Sequence, residues 1–190
     1  MSGRSPSRQE DHSWAHMTDE WIAQCTCGSV EFQATGIPIT SVTCYCDDCQ
    51  EGARQIEALP NAARILDSDG GSGYLVYRKD RVHCVKGNQL LRPYKIRERS
   101  ATNRVVATCC NAAMILNFDD SKHWVDVYRN RVQGNVPPIQ MCVCTKYRRT
   151  STRDTTSVAE YPRYPMRLVA KLIGAKFRML AAGNAGRLTS

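Results

Sequence analysis

The chain has 190 residues, 42% of them hydrophobic and 23% charged, a mixture that favours one domain with tails and excludes a wholly disordered chain. No stretch approaches the roughly 18–20 apolar residues of a membrane helix, and the first twenty residues hold no apolar run, so export is not expected and a cytoplasmic setting is, with the nucleus left open. The net charge of +8 sits at one end: residues 145–190 hold ten Lys/Arg and two Asp/Glu, whereas residues 1–144 hold sixteen of each.

Residues 1–20 are polar and read as a disordered leader. Residues 21–144 hold all ten cysteines and read as a mainly β domain of antiparallel sheet with short helices. Val30, Phe32 and Ala34 alternate with polar neighbours as in a half-buried strand, which Gly36 and Pro38 then end. The spacing of Ala53, Ile56, Leu59, Ala62, Ala63 and Leu66 predicts helix over 51–66, interrupted near Pro60. After Gly70, Gly71 and Gly73, residues 74–77 form an aromatic strand, and 82–85 is expected to continue it as a hairpin. Residues 90–96 are strand-like, with Pro93 arguing for an edge. Two further strands, 104–108 and 114–118, flank a cysteine pair, and 124–128 makes another. Residues 145–190 read as a basic tail with one amphipathic helix over 165–180, on Met166, Val169, Leu172, Ile173, Phe177 and Leu180. Its apolar face is expected to dock on its own domain; a membrane surface or a partner is the other reading.

The cysteines carry the chemistry. In order they are Cys25-Thr26-Cys27-Gly28, Cys44-Tyr45-Cys46-Asp47-Asp48-Cys49, Cys84 alone, Cys109-Cys110-Asn111, and Cys142-Val143-Cys144. In a reducing compartment such clusters point to metal rather than to disulfides. Close cysteine pairs put two sulfurs on one turn, and zinc takes four ligands in a tetrahedron. Cys25 and Cys27 can share a closed site with Cys109 and Cys110. The triplet Cys44, Cys46 and Cys49 supplies three sulfurs and leaves a position open for water or substrate. An open zinc can hold an incoming thiol as thiolate or polarise a carbonyl, and both favour adding sulfur to a small aldehyde. Cys84 reads as a small buried hydrophobe in a strand, with His83 exposed beside it. Cys142 and Cys144 are left open.

The pattern resembles the glutathione-dependent formaldehyde-activating enzyme family, which shares its domain with centromere protein V. The resemblance rests on the Cys25-Thr26-Cys27-Gly28 and Cys44-to-Cys49 motifs, the glycine turn at 70–73 with its aromatic strand, Gly87 before Leu90-Leu91, and Cys109-Cys110-Asn111. It implies a β-tent-like fold with two zinc sites. Cys25, Cys27 and Cys110 would belong to the structural zinc. Ala107 stands where the family's first late cysteine is expected, so its fourth sulfur would come from Cys109, Cys142 or Cys144. Cys44, Cys46 and Cys49 would hold the catalytic zinc. The activity implied is that of a carbon–sulfur lyase, reversibly joining glutathione to formaldehyde. Asn111 replaces the usual glycine, and Asn tolerates the left-handed backbone that glycine would take; a branch of related bacterial proteins is similar in this Cys-Cys-Asn form.

Glutathione carboxylates would favour a nearby cation. Arg54, Arg78, Lys79, Arg81 and Arg97 are candidates, none singled out. Two other readings stand beside the enzyme. One is a non-catalytic, zinc-stabilised binding module. The weaker one is a nucleic-acid binder using the basic tail, against which stand the neutral body and the lack of a Cys/His finger.

Overall fold

In a computed structural model, residues 20–119, 122–150 and 158–187 are described, with side chains as far as position 182. The expected leader, except for Glu20, and the expected tail at 151–157 and 188–190 lie outside the described residues. Among the described residues there are eleven strands and two α-helices: β1 (Glu20–Gln24), β2 (Glu31–Thr35), β3 (Thr40–Cys44), α1 (Asp47–Glu57), β4 (Ser72–Arg78), β5 (Val82–Lys86), β6 (Leu91–Tyr94), β7 (Thr102–Ala107), β8 (Ala112–Phe118), β9 (Trp124–Tyr128), β10 (Met141–Val143), β11 (Ala159–Tyr161) and α2 (Met166–Arg187). The fold is mainly β, as the sequence predicts.

The strands form two sheets, ordered β1-β2-β5 and β11-β10-β3-β4-β9-β8-β7-β6. The larger is mixed rather than purely antiparallel, because β10 runs parallel to both β3 and β11. Its two faces make two cores. On one, Leu75, Tyr77, Met114, Ile115, Val125 and Val127 pack against Trp21, Ala23, Val30, Phe32 and Ala34 of the smaller sheet and its turn. On the other, Val42, Tyr74, Val76, Leu116 and Tyr128 pack against Ala53 and Ile56 of α1 and Leu168 of α2. Covered on both sides, β3 is buried along its whole length, whereas β2 alternates as its sequence does. Burial of these apolar faces is the main source of stability.

Three local expectations change. The 82–85 strand exists but leaves the β4 sheet and pairs with β2, its register joining Phe32 to Cys84 and Ala34 to Val82. Antiparallel pairing with the already buried β2 satisfies its backbone at the smaller sheet's edge. The helix begins earlier, at Asp47, where two acidic residues complement the positive end of its dipole. It ends at Glu57, ahead of Pro60. Helix does not resume over 58–66; there the Glu57 carboxylate accepts from the Ile65 and Leu66 amides at 2.6 and 2.8 Å. Pro93 does lie on an edge strand, β6.

Residues beyond 144 add strand β11 to the larger sheet and lay α2 over one of its faces. Leu168 and Ala175 are buried there, and His123 Nε2 lies 2.7 Å from the Leu172 carbonyl oxygen. Met166, Ile173, Phe177 and Leu180 face outward. The helix therefore docks by a narrower apolar stripe than its sequence suggests. Among the described residues, no helix is long and apolar enough to cross a membrane.

Candidate metal centres and their cavity

The first cysteine cluster lies on the smaller-sheet side. Cys25 and Cys27 sit on the tight turn between β1 and β2, which the Gly28 amide closes by donating to the Cys25 carbonyl at 3.0 Å. Gly87 lies so close that a β-carbon there would stand 2.2 Å from the Ser29 carbonyl oxygen. Cys109 and Cys110 occupy the turn between β7 and β8, which Asn111 completes at φ 52°. That is the left-handed conformation expected of it.

The sulfurs of Cys25, Cys27, Cys109 and Cys110 all lie within 4.8 Å of one another. The Cys25–Cys27, Cys25–Cys109, Cys27–Cys109 and Cys109–Cys110 separations are 3.6, 3.8, 3.3 and 4.0 Å. A tetrahedron with roughly 2.3 Å metal–sulfur bonds has edges of about 3.8 Å, so this donor set fits zinc. The adjacent Cys109 and Cys110 both belong to this group of sulfurs. Ser29 hydrogen bonds lower the Cys27 thiol to about 6, toward the thiolate a metal needs.

The second cluster lies on the helical side of the larger sheet. Cys44 ends β3, Cys46 caps the N-terminus of α1, and Cys49 lies in its first turn. Their three sulfurs also fall within 4.8 Å of one another. Gln50 pins the turn, its Nε2 donating to the carbonyls of Tyr45 at 2.6 Å and Tyr147 at 2.8 Å. Tyr74 donates its hydroxyl to Cys49 Sγ at 3.5 Å, and Tyr164 Oη lies 3.7 Å from Cys44 Sγ. Hydrogen bonds from Cys44 and Cys49 hold Cys46 far toward thiolate, while Cys44, acting as donor, is held protonated.

The triplet opens on a cavity of about 450 Å³. Val42, Val76, Leu116, Phe118, Trp124 and Leu172 give it apolar walls. Charged side chains also line it, among them Arg104 and Asp126 on β7 and β9, the strands that flank β8. Arg104 of β7 is 1% exposed and donates through Nη2 to the Asp48 carbonyl, while its Nε and Nη1 have no hydrogen-bond partner. Asp126 of β9 shares a sheet row with it, since both pair with Leu116 of β8. Loss of water raises the Asp126 carboxyl from 3.8 to about 7.

Arg54, Arg78, Lys79, Arg81 and Arg97 do not line this cavity. Arg54 and Arg78 pair instead with Glu51 and Asp80. Cys84 stands apart from both clusters, only partly buried, its Sγ donating to the Lys86 carbonyl at 3.2 Å, and His83 is exposed. Cys142 and Cys144 do not join the first cluster.

The sequence reading misses Arg104, Asp126 and Tyr164. Asp126 had a signal, a lone carboxylate inside the run Trp124-Val125-Asp126-Val127-Tyr128. Arg104 had a weaker one, as a cation opening an apolar strand. Tyr164 had none, since it lies 120 positions from Cys44 and only the fold brings the two together.

Residues 20–132 match the family model described as glutathione-dependent formaldehyde-activating enzyme. A crystal structure of a Rhodobacter sphaeroides protein is similar at 15% identity and a TM-score of 0.44, over 74% of this chain and 98% of that one. No curated protein matches the chain.

Proposed function

Because the chain belongs to the glutathione-dependent formaldehyde-activating enzyme family, we propose that it reversibly joins a glutathione-like thiol to a formaldehyde-like aldehyde, a carbon–sulfur lyase in the cleaving direction. The observation that carries this reading is three converging thiols, Cys44, Cys46 and Cys49, at the wall of a cavity of about 450 Å³. Soft thiolate donors suit zinc. An ion held by these three would supply Lewis acidity and favour thiolate; one held by Cys25, Cys27, Cys109 and Cys110 would be structural.

The chain's own groups handle charge and protons. In the addition, the thiol gives up its proton, its sulfur bonds to the carbonyl carbon, and the oxygen takes a proton. All atoms end in one S-hydroxymethyl product. Asp126, titrating near 7 on the cavity wall, can accept the first proton and return one to the oxygen. Arg104 places positive charge on the same wall and favours anionic species there. The apolar walls exclude water that would compete for the aldehyde.

The test follows S-hydroxymethylglutathione formation by NMR from glutathione and formaldehyde. The parent protein exceeds the spontaneous rate and Cys46→Ser does not. A parent no faster than the protein-free mixture, or a Cys46→Ser variant that keeps the acceleration, overturns the proposal. A second reading, a zinc-stapled binding module without chemistry, draws on one observation: a fourth sulfur stands beside the triplet.

A further inference from the structure

That fourth sulfur is Cys144. It lies outside the segment that matches the family, residues 20–132, and reaches the site through topology. Parallel pairing of β10 with β3 sets Val143 opposite Cys44, and the Tyr45 amide donates to the Val143 carbonyl at 3.1 Å. Cys144, the next residue, is buried at 4% exposure. Its side chain lies against Cys44 and near Cys46 and Tyr164, beside the three sulfurs that fall within 4.8 Å of one another rather than among them.

The backbone at Cys144 shows how it gets there. Side chains alternate along a strand. Val143 lines the cavity, and Cys142 interacts on the other side with the Tyr45 hydroxyl and Arg148. A continued strand would send Cys144 after Cys142. Instead Cys144 takes φ 59° and ψ 33°, a left-handed conformation that a cysteine rarely adopts. The turn is closed by the Tyr147 amide donating to the Cys144 carbonyl at 3.1 Å. Such strain at a non-glycine residue persists where the surroundings impose it, and it clusters at functional sites. Here it swings a fourth thiol toward the triplet.

We infer that Cys144 is a fourth thiolate ligand for a metal held by Cys44, Cys46 and Cys49, and the one that gives way to a substrate thiol. The inference rests on the proposed metal-binding role of the triplet. Cys144 is the exchangeable member because the other three converge without it and because its backbone is strained. On exchange, the proton of the incoming thiol passes to the Cys144 sulfur as the incoming sulfur takes its place. Atoms and charge then balance without an oxidant.

The test compares the full chain with Cys144→Ser, Cys142→Ser and Cys46→Ser, each loaded with zinc under reductant and titrated with a chromophoric chelator. The parent and Cys142→Ser hold two zincs and release the weaker one alike. In Cys144→Ser that zinc is withdrawn at least about tenfold more readily, the lower bound expected even for an outer-shell partner. Unchanged withdrawal in Cys144→Ser overturns the inference while leaving the metal reading intact. A parent holding a single zinc that Cys46→Ser does not remove overturns both. Alkylation mapping of the parent gives a measurement that needs no variant. Cys144 labelling should rise together with that of Cys46 when the chelator strips the metal. Labelling of Cys144 that does not respond to stripping contradicts its ligand role.

Discussion

A β-carbon on Gly52 would lie 2.0 Å from Arg104 Nε. Helix α1 can rest on the buried arginine only because position 52 carries no side chain. Gly to Ala in a helix interior ordinarily stabilises by about 1 kcal/mol. Here the sign reverses, since the guanidinium is 1% exposed and held by its hydrogen bond to the Asp48 carbonyl. Gly52→Ala should destabilise by about 1–3 kcal/mol, as overpacking does, read from urea midpoints. In an Arg104→Ala background the same change should become neutral or stabilising. Additive behaviour of the two substitutions would contradict the contact.

Asp126 gives the protein a pH dependence of defined sign. Its folded carboxyl is raised from 3.8 to about 7 by burial, so between those values the folded state binds more protons than the unfolded one. Its contribution to stability is full below about pH 4 and lost as pH rises through about 7. Arg104, Lys122, Asp48 and the triplet thiols share the cavity and titrate or carry charge as well, so the comparison is parent against Asp126→Asn. Relative to the parent, the variant should gain stability between pH 5 and pH 8, measured by denaturant titration at each pH. A constant difference across that range would contradict the raised carboxyl. The variant should also lose the limb of the pH–rate profile near 7.

The first cysteine cluster joins a turn of the smaller sheet to a turn of the larger. A metal held there would tie the two sheets, and its binding free energy would add to folding. Cys109→Ser should lower the thermal midpoint markedly and abolish its response to chelator, whereas Cys84→Ser should melt like the parent. Equal melting of the two variants would contradict a structural role for Cys109.

What the sequence discloses divides along physical lines. Local patterns are legible: the alternation of Val30, Phe32 and Ala34, the edge strand at Pro93, and the left-handed Asn111 all rest on a residue's own preferences. The clustering of seven of the ten cysteines into two groups is also visible, because each group is built from close pairs. Pairing between distant segments is not visible. Nothing in residues 82–86 says that β5 will choose β2 over β4, and three residues at 141–143 are too few to advertise a parallel partner. Arg104 and Tyr164 reach the cavity, and Cys144 its neighbour Cys44, only through contacts between distant segments. The start of α1 at Asp47 is hidden for a different reason: its first turn holds Asp47, Asp48 and Cys49, so apolar periodicity begins a turn late.

The proposed chemistry needs a metal at the triplet distinct from any held by Cys25, Cys27, Cys109 and Cys110. Metal content per chain, on protein purified under reductant, tests it most directly. About two zincs are expected in the parent and about one in Cys46→Ser, with the fold retained by circular dichroism. One zinc in the parent, unchanged in Cys46→Ser, would contradict it.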